Sequence, residues 1–132
     1  MTIDSSALLA ILLGEPGGLD LVDLILEADT ARVGTPTLVE TAIVLGSRRG
    51  KPSMREVVEL VEELGVTMVP FDGVQMEAAV DAFERYGRGR HRAGLNFGDC
   101  LSYATAATAR DSLLFVGSDF AKTDIRRADS GR

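Results

Sequence analysis

Apolar positions along the chain fall into short runs separated by longer stretches of helical period. Ile3 and its neighbours form a very short apolar start, followed by SSALLAILLG, where Ser5 or Ser6 can cap a helix rich in Ala and Leu. EPGG at 15–18 breaks that helix. In LDLVDLILEA at 19–28, Leu21, Leu24, Ile25 and Ala28 share one helical face. ARVG at 31–34 predicts a short strand. TPTLVETAIVLGSRRG predicts a helix, with Thr35 as cap, Pro36 at its first position, Arg48 and Arg49 in its last turn and Gly50 as its stop. SMREVVELVEELG at 53–65 reads as a helix with Ser53 and Glu56 spaced as a capping box and Gly65 at its end.

VTMVP reads as a buried strand, and residues 73–86 as a further helix. RYGRGRHRAGLN then forms a basic loop, FGDCLSYATAATARD an Ala-rich helix and LLFVG at 113–117 a central strand. SDFAKTD predicts a turn with a helical start. Short apolar strands alternating with helices specify an α/β fold, a short parallel central sheet flanked by helices on both faces in three layers. Residues 1–128 are expected to form one domain, followed by a polar tail at 129–132 expected to fray.

Size and composition agree with this pattern. A chain of 132 residues, 45% hydrophobic and 26% charged, falls in the range of one soluble domain. No apolar run approaches the roughly 20 residues of a membrane span. MTIDSSALLAILLG has no basic residue ahead of its apolar stretch and carries Asp4 within it, so no secretory signal is expected and the cytoplasm is the expected location. Cys100 is the only cysteine and His91 the only histidine, which excludes an internal disulfide and leaves no zinc-binding spacing. A buried helix position suits Cys100 better than a nucleophile's role, because His91 lies in a flexible-looking loop.

Parallel strands share a carboxyl edge, where ligands of open α/β sheets bind and where the following helices present their N-termini. Asp4 follows the first strand, Glu40 lies in the first turns of the helix from Pro36, Asp99 opens the Ala-rich helix and Asp119 follows the last strand. All four carboxylates are therefore expected at one edge. Singly, Asp4, Asp99 and Asp119 also fit roles as helix caps or partners of a helix dipole. Glu40 fits such a role less well, since Leu38, Val39, Ile43 and Val44 surround it in sequence and a carboxylate in an apolar setting requires a partner. Four acids together repel unless a cation offsets them. With no His or Cys in the set, a hard ion such as Mg2+ or Mn2+ is favoured, suited to phosphodiester hydrolysis by an activated water.

MTIDSSALLAIL, TLVETAIVL, GRHRAGLNFGDCLSYATA and LLFVGSDFAKTDI, in this order, closely resemble the VapC-like toxins of the PIN-domain ribonuclease family over nearly the whole chain. The resemblance implies a Mg2+-dependent endoribonuclease, with Mn2+ able to substitute. It further implies the toxin half of a type II toxin–antitoxin pair, inhibited by a small VapB-like antitoxin that inserts a basic side chain into the acidic pocket, and a homodimer. Asp4 and Asp99 match the family's main metal ligands, Glu40 its third acid and Asp119 its less constant fourth, with Asp124 a competing choice. Ser6 matches the hydroxyl that orients the first carboxylate or a metal water. Arg92 stands where relatives often have Pro, and Val116 where they often have Lys, which bears on RNA preference.

Against a net charge of −6, Glu84 with Arg85, Arg88, Arg90 and Arg92 gives residues 84–92 a local sum of +3. Such a run can simply be a solvated connection. Ahead of Asp99, with glycines at 87, 89 and 94, its four arginines can also grip phosphates flanking the scissile one, with Arg88, Arg90, His91 and Arg92 as the candidate RNA contacts. Tyr86, His91 and Phe97 are candidates for stacking on unpaired bases, although a helix start also suits Phe97 as a core residue. Contact with DNA or a membrane is not expected.

Other functional classes fit less well. A phosphoacceptor receiver module would need paired acids after the first strand and an acceptor Asp after the third, where IDSS and MVPFDG fit poorly. A haloacid-dehalogenase-like phosphatase would need Asp where Ser6 stands. A catalytically silent binding domain of the same fold would have no need of all four acids.

Overall fold

The computed structural model describes residues 1–129. The elements run β1 (Thr2–Ile3), α1 (Ser5–Leu12), α2 (Gly18–Glu27), β2 (Arg32–Gly34), α3 (Thr35–Arg49), α4 (Met54–Glu63), β3 (Thr67–Val69), α5 (Gly73–Tyr86), α6 (Phe97–Ala109) and β4 (Leu113–Leu114). All strand pairs are parallel, in the order β3-β2-β1-β4. Thr2 stands opposite both Arg32 and Leu113, so β1 occupies the middle of the sheet.

The sheet separates two apolar layers. Ile3, Val33 and Leu114 pack with Ala7, Leu8, Ile25 and Val61 from α1, α2 and α4. Leu113 and Phe115 point the other way, towards Ala82 of α5 and Cys100, Tyr103 and Ala106 of α6. The alternation of Leu113, Leu114 and Phe115 between layers is the period of a strand buried on both faces. This is the three-layer arrangement expected from the sequence, and Cys100 is buried within it.

Several local expectations are corrected. β3 is an edge strand with Thr67 and Met68 exposed, because no strand beyond it continues the sheet among the described residues; this corrects the buried strand expected from its apolar letters. β4 lies at the opposite end of the four-strand order, not in the centre, although Leu113 also bonds outward to the segment at Arg126–Ala128. The cap of α1 is Asp4, whose side chain accepts the Ser6 N–H, so Ser5 and Ser6 fall inside the helix. Gly34, not Thr35, precedes α3. Ser53 makes no side-chain cap; its hydroxyl donates to the Lys51 carbonyl, and Glu56 pairs with Arg49.

Residues 118–124 form turns and bends without a helix. Ala128 is buried and its N–H bonds to the Leu113 carbonyl. Of the tail expected to fray, residues 130–132 lie outside the described residues.

Candidate active site

Asp4 leaves the carboxyl end of β1 and is only 3% exposed. Its Oδ2 accepts two hydrogen bonds, from the Ser6 N–H at 3.1 Å and the Ser6 hydroxyl at 2.6 Å. The same Ser6 Oγ accepts the Val116 N–H at 3.0 Å, so one hydroxyl links the chain after β1 to the chain after β4. Asp4 Oδ1 is buried and has no hydrogen-bond partner among the described residues. An unmatched oxygen of this kind costs about 1–3 kcal/mol. It marks a place where the fold leaves acceptor capacity unused.

Asp99 lies in the first turn of α6 and is 9% exposed. Asn96 and Asp99 form a reciprocal capping box: the Asp99 N–H bonds to Asn96 Oδ1 at 2.8 Å, and the Asn96 N–H to Asp99 Oδ2 at 3.0 Å. The N-x-x-D spacing of NFGD, with Asn96 as cap, is the signal of this box in the sequence. Burial pushes the Asp99 carboxyl up to about 6; the Asn96 N–H opposes this, and the charges of Asp4, Asp119 and Glu40 add to it. All three other acids therefore lie close enough to act on Asp99, and the convergence expected from the sheet edge is present.

Glu40 projects from the second turn of α3 and is half-buried. Its carboxylate lies against Gly98 at the start of α6, where an added Cβ would overlap both its oxygens and its Cδ. The apolar neighbours that made Glu40 look buried are partly on the surface: Val39 is 58% exposed and Ile43 64%. Asp119 lies on the exposed turn after β4. Asp124, the competing fourth acid, is already engaged, its Oδ1 accepting from the Tyr103 hydroxyl at 2.5 Å and its Oδ2 from Arg85 at 3.2 Å.

Among the described residues, no three His, Cys, Asp or Glu side chains close into a ready-made metal cage. The acids instead offer a mouth of carboxylate oxygens with one buried acceptor unused. Such a donor set suits a hard divalent cation that keeps several waters and takes one or two carboxylates directly.

The basic loop is more closely structured than its glycines suggested. Gly87 and Leu95 bridge, the Arg88 N–H bonds to the Leu95 carbonyl, and the Arg90 and His91 N–H groups bond to the Gly87 carbonyl. Gly89 and Gly94 have left-handed backbone, at φ 81° and 61°. Gly87 does not; it is required for space, since a Cβ there would strike Phe83. Arg88, Arg90 and Arg92 are exposed, with the Arg90 guanidinium 5.6 Å from the centre of the Phe83 ring.

Arg85 is not part of a free phosphate grip, because it bonds to Asp81, Asp124 and the Tyr86 hydroxyl. His91 is half-buried, edge-on to Tyr86 at 5.1 Å, and its Nδ1 accepts the Ala93 N–H. Phe97 is 79% exposed, contrary to a core role, and lines an apolar cleft of about 730 Å³ with Val39, Ile43, Val80 and Leu101. Glu40 and Gly98 form part of the same lining, so the cleft runs up to Glu40.

Comparison with known proteins agrees with this geometry. The PIN domain family matches residues 1–126. The chain is 45% identical over 125 residues to "Ribonuclease VapC" of Mycolicibacterium smegmatis, covering 95% of this chain and 97% of the relative. It is 44% identical over 126 residues to "Ribonuclease VapC30" of Mycobacterium tuberculosis, covering 95% of each. The fold is similar to that of Mycobacterium tuberculosis VapC20, described as a sarcin-ricin loop cleaving toxin, with a TM-score of 0.74 at 16% identity over 94% of this chain and 95% of that one. It is also similar to a toxin-antitoxin complex from Klebsiella pneumoniae, with a TM-score of 0.69 at 15% identity over 93% of this chain and 92% of that one. The order of the acids, the parallel sheet that gathers them and the full-length likeness to VapC ribonucleases together establish that this chain belongs to the PIN domain family, in its VapC-like branch.

Proposed function

We propose that this chain is the toxin of a type II toxin–antitoxin pair, an endoribonuclease that hydrolyses RNA with a divalent cation, Mg2+ or Mn2+, held by Asp4, Glu40, Asp99 and Asp119. The observation that carries the proposal is the buried, unpartnered Asp4 Oδ1 beside an Asp99 whose carboxyl is raised to about 6 by burial and, in part, by the other three acids. A cation bound there would supply Lewis acidity, making water a nucleophile near neutral pH and offsetting charge on the leaving oxygen.

The chain's own residues supply orientation. Ser6 fixes one oxygen of Asp4 and leaves the other free, the capping box fixes Asp99, and Gly98 gives Glu40 room beside α6. Asp119, on an exposed turn, completes the acidic mouth. Arg88, Arg90 and Arg92, with His91 at their base, hold the phosphates on either side of the scissile one; exposed guanidinium groups suit that task better than direct chemistry.

Two partners follow from this reading. A small antitoxin of the VapB type blocks the mouth with a basic side chain, which supplies the charge that the acids lack. A second copy of the chain covers the apolar face of α3 and α5, where Val39, Ile43, Met76 and Val80 stand exposed. An apolar patch is self-complementary in a two-fold pair and is unusual on a free surface. Val39→Glu with Ile43→Glu should convert a dimer to a monomer in light scattering.

The direct test of the activity is cleavage of single-stranded RNA by purified protein during a Mg2+ titration. Asp4→Asn and Asp99→Asn should each abolish metal-dependent cleavage, and full activity in both would refute the assignment.

A further inference from the structure

Beyond the four acids and the basic loop lies a second polar cluster, composed of Arg85 at the end of α5, Tyr103 in α6 and Asp124 in the segment after β4. The Tyr103 hydroxyl donates to Asp124 Oδ1 at 2.5 Å, and Arg85 donates to Asp124 Oδ2 at 3.2 Å and to the Tyr86 hydroxyl at 2.9 Å. Tyr103 is buried although Asp124 is exposed, so the pair pins a surface segment to the interior. The Tyr103 hydrogen bond is the main influence holding the Asp124 carboxyl below its usual range, and Arg85 acts in the same direction.

The position of this cluster suggests its role. Tyr103 follows Asp99 by four residues on α6, so the two share a helical face. Asp119 and Asp124 belong to one short segment after β4. Its near end is held by the Val116 N–H on Ser6, which also holds Asp4, and its middle by Phe120 packed on Phe115 at 5.1 Å. Asp124 closes its far end. The base of the arginine loop joins the same cluster, since Tyr86 contacts both Tyr103 and His91.

From this connectivity we propose that Arg85, Tyr103 and Asp124 form a clasp that positions the Asp119 turn and the arginine loop relative to Asp99. The inference rests on the metal-site reading given above. Asp124 is thus a positioning residue, not a ligand, and its effect on the cation is exerted through Asp119. The charge of Asp124 is committed to Tyr103 and Arg85, and these contacts order a turn that otherwise projects into solvent.

The test is Mn2+ binding, by calorimetry, to purified wild type and to Tyr103→Phe, Asp124→Asn and Asp119→Asn, together with amide exchange over residues 116–123 and 88–94. Tyr103→Phe removes only the hydroxyl and keeps the packed ring. Tyr103→Phe and Asp124→Asn should each weaken Mn2+ binding about tenfold and speed exchange in both segments, with circular dichroism unchanged. In cleavage assays both should raise the Mn2+ requirement more than they lower the maximal rate. Unchanged Mn2+ affinity and unchanged exchange in Asp124→Asn, whose side chain is exposed and whose folding is least at risk, would overturn the clasp. The site reading fails on a different result, Asp119→Asn binding Mn2+ as wild type does, and the clasp would fail with it.

Discussion

The carboxylate of Glu40 fills the space that a side chain on residue 98 would need, so Gly98 and Glu40 fit together where α3 meets the start of α6. That complementarity ties the third acid to the helix that carries Asp99. Gly98→Ala should therefore do more than lower helix flexibility. The methyl group must displace the Glu40 carboxylate, the far end of a flexible, half-buried side chain, which can swing aside at a small cost in stability but leaves its place beside Asp99 when it does. Thermal unfolding should record that small loss, and RNA cleavage should fall further than the stability change explains. Wild-type cleavage would show that Glu40 need not hold that place.

Ser6 links Asp4 to Val116 through one hydroxyl. Ser6→Ala removes a hydrogen bond to a buried carboxylate and leaves the Val116 N–H without this partner, for a loss of about 1–3 kcal/mol. Cleavage should drop markedly, because Asp4 loses the contact that fixes its orientation. Ser6→Thr, which keeps the hydroxyl, should retain more activity in the same assay.

The raised Asp99 carboxyl predicts a specific pH dependence of stability in chelator. Its folded value of about 6 lies above the ordinary 3.8, so the folded protein holds this proton more tightly than the unfolded chain does. The stabilisation is fully present below 3.8 and lost as pH rises through about 6. The difference in melting temperature between Asp99→Asn and wild type should therefore widen in favour of the variant between pH 4 and pH 7. A difference independent of pH would contradict the coupling of burial and neighbouring acids at this site.

Cys100 is buried in α6, and burial pushes its thiol up to about 11, with Asp99 adding to the effect. Little thiolate forms near neutral pH, and thiol reagents have poor access to it. Dithionitrobenzoate should label native protein slowly and denatured protein at once, and Cys100→Ser should retain cleavage. Rapid native labelling would contradict this placement of the residue.

Much of the arrangement was legible because it follows from the sheet. An acid after β1 and another after β4 must emerge at one edge when the strands are parallel, and Asp4 and Asp119 do. Glu40 and Asp99 follow because their helices begin at or near the same edge. Features that depend on what packs beside an element were not legible. The letters of VTMVP do not reveal that β3 ends the sheet, nor do those of Phe97 that the ring faces an open cleft. Arg85 belonged to a basic run by sequence, yet partners 39 and 18 residues away, Asp124 and Tyr103, remove it from that run. Gly98 gave no sign of its neighbour, because the close approach is made by a side chain 58 positions earlier in the chain.

The arginine loop makes a separate, electrostatic prediction. Arg88, Arg90 and Arg92 are exposed and take no part in the Arg85 network. Replacing all three with Ala should weaken single-stranded RNA binding and reduce its salt slope by about 2, since each phosphate contact on a single strand contributes roughly 0.7. Mn2+ affinity should be unchanged. An unaltered salt slope would remove the loop from the substrate site.

Whether the acids gathered at the carboxyl edge of the sheet direct RNA cleavage is tested most directly by sequencing RNA 5′ ends after brief induction of wild type beside Asp99→Asn. New ends should accumulate at discrete sites with wild type and be absent with the variant. The same ends at the same frequency with Asp99→Asn would contradict the account.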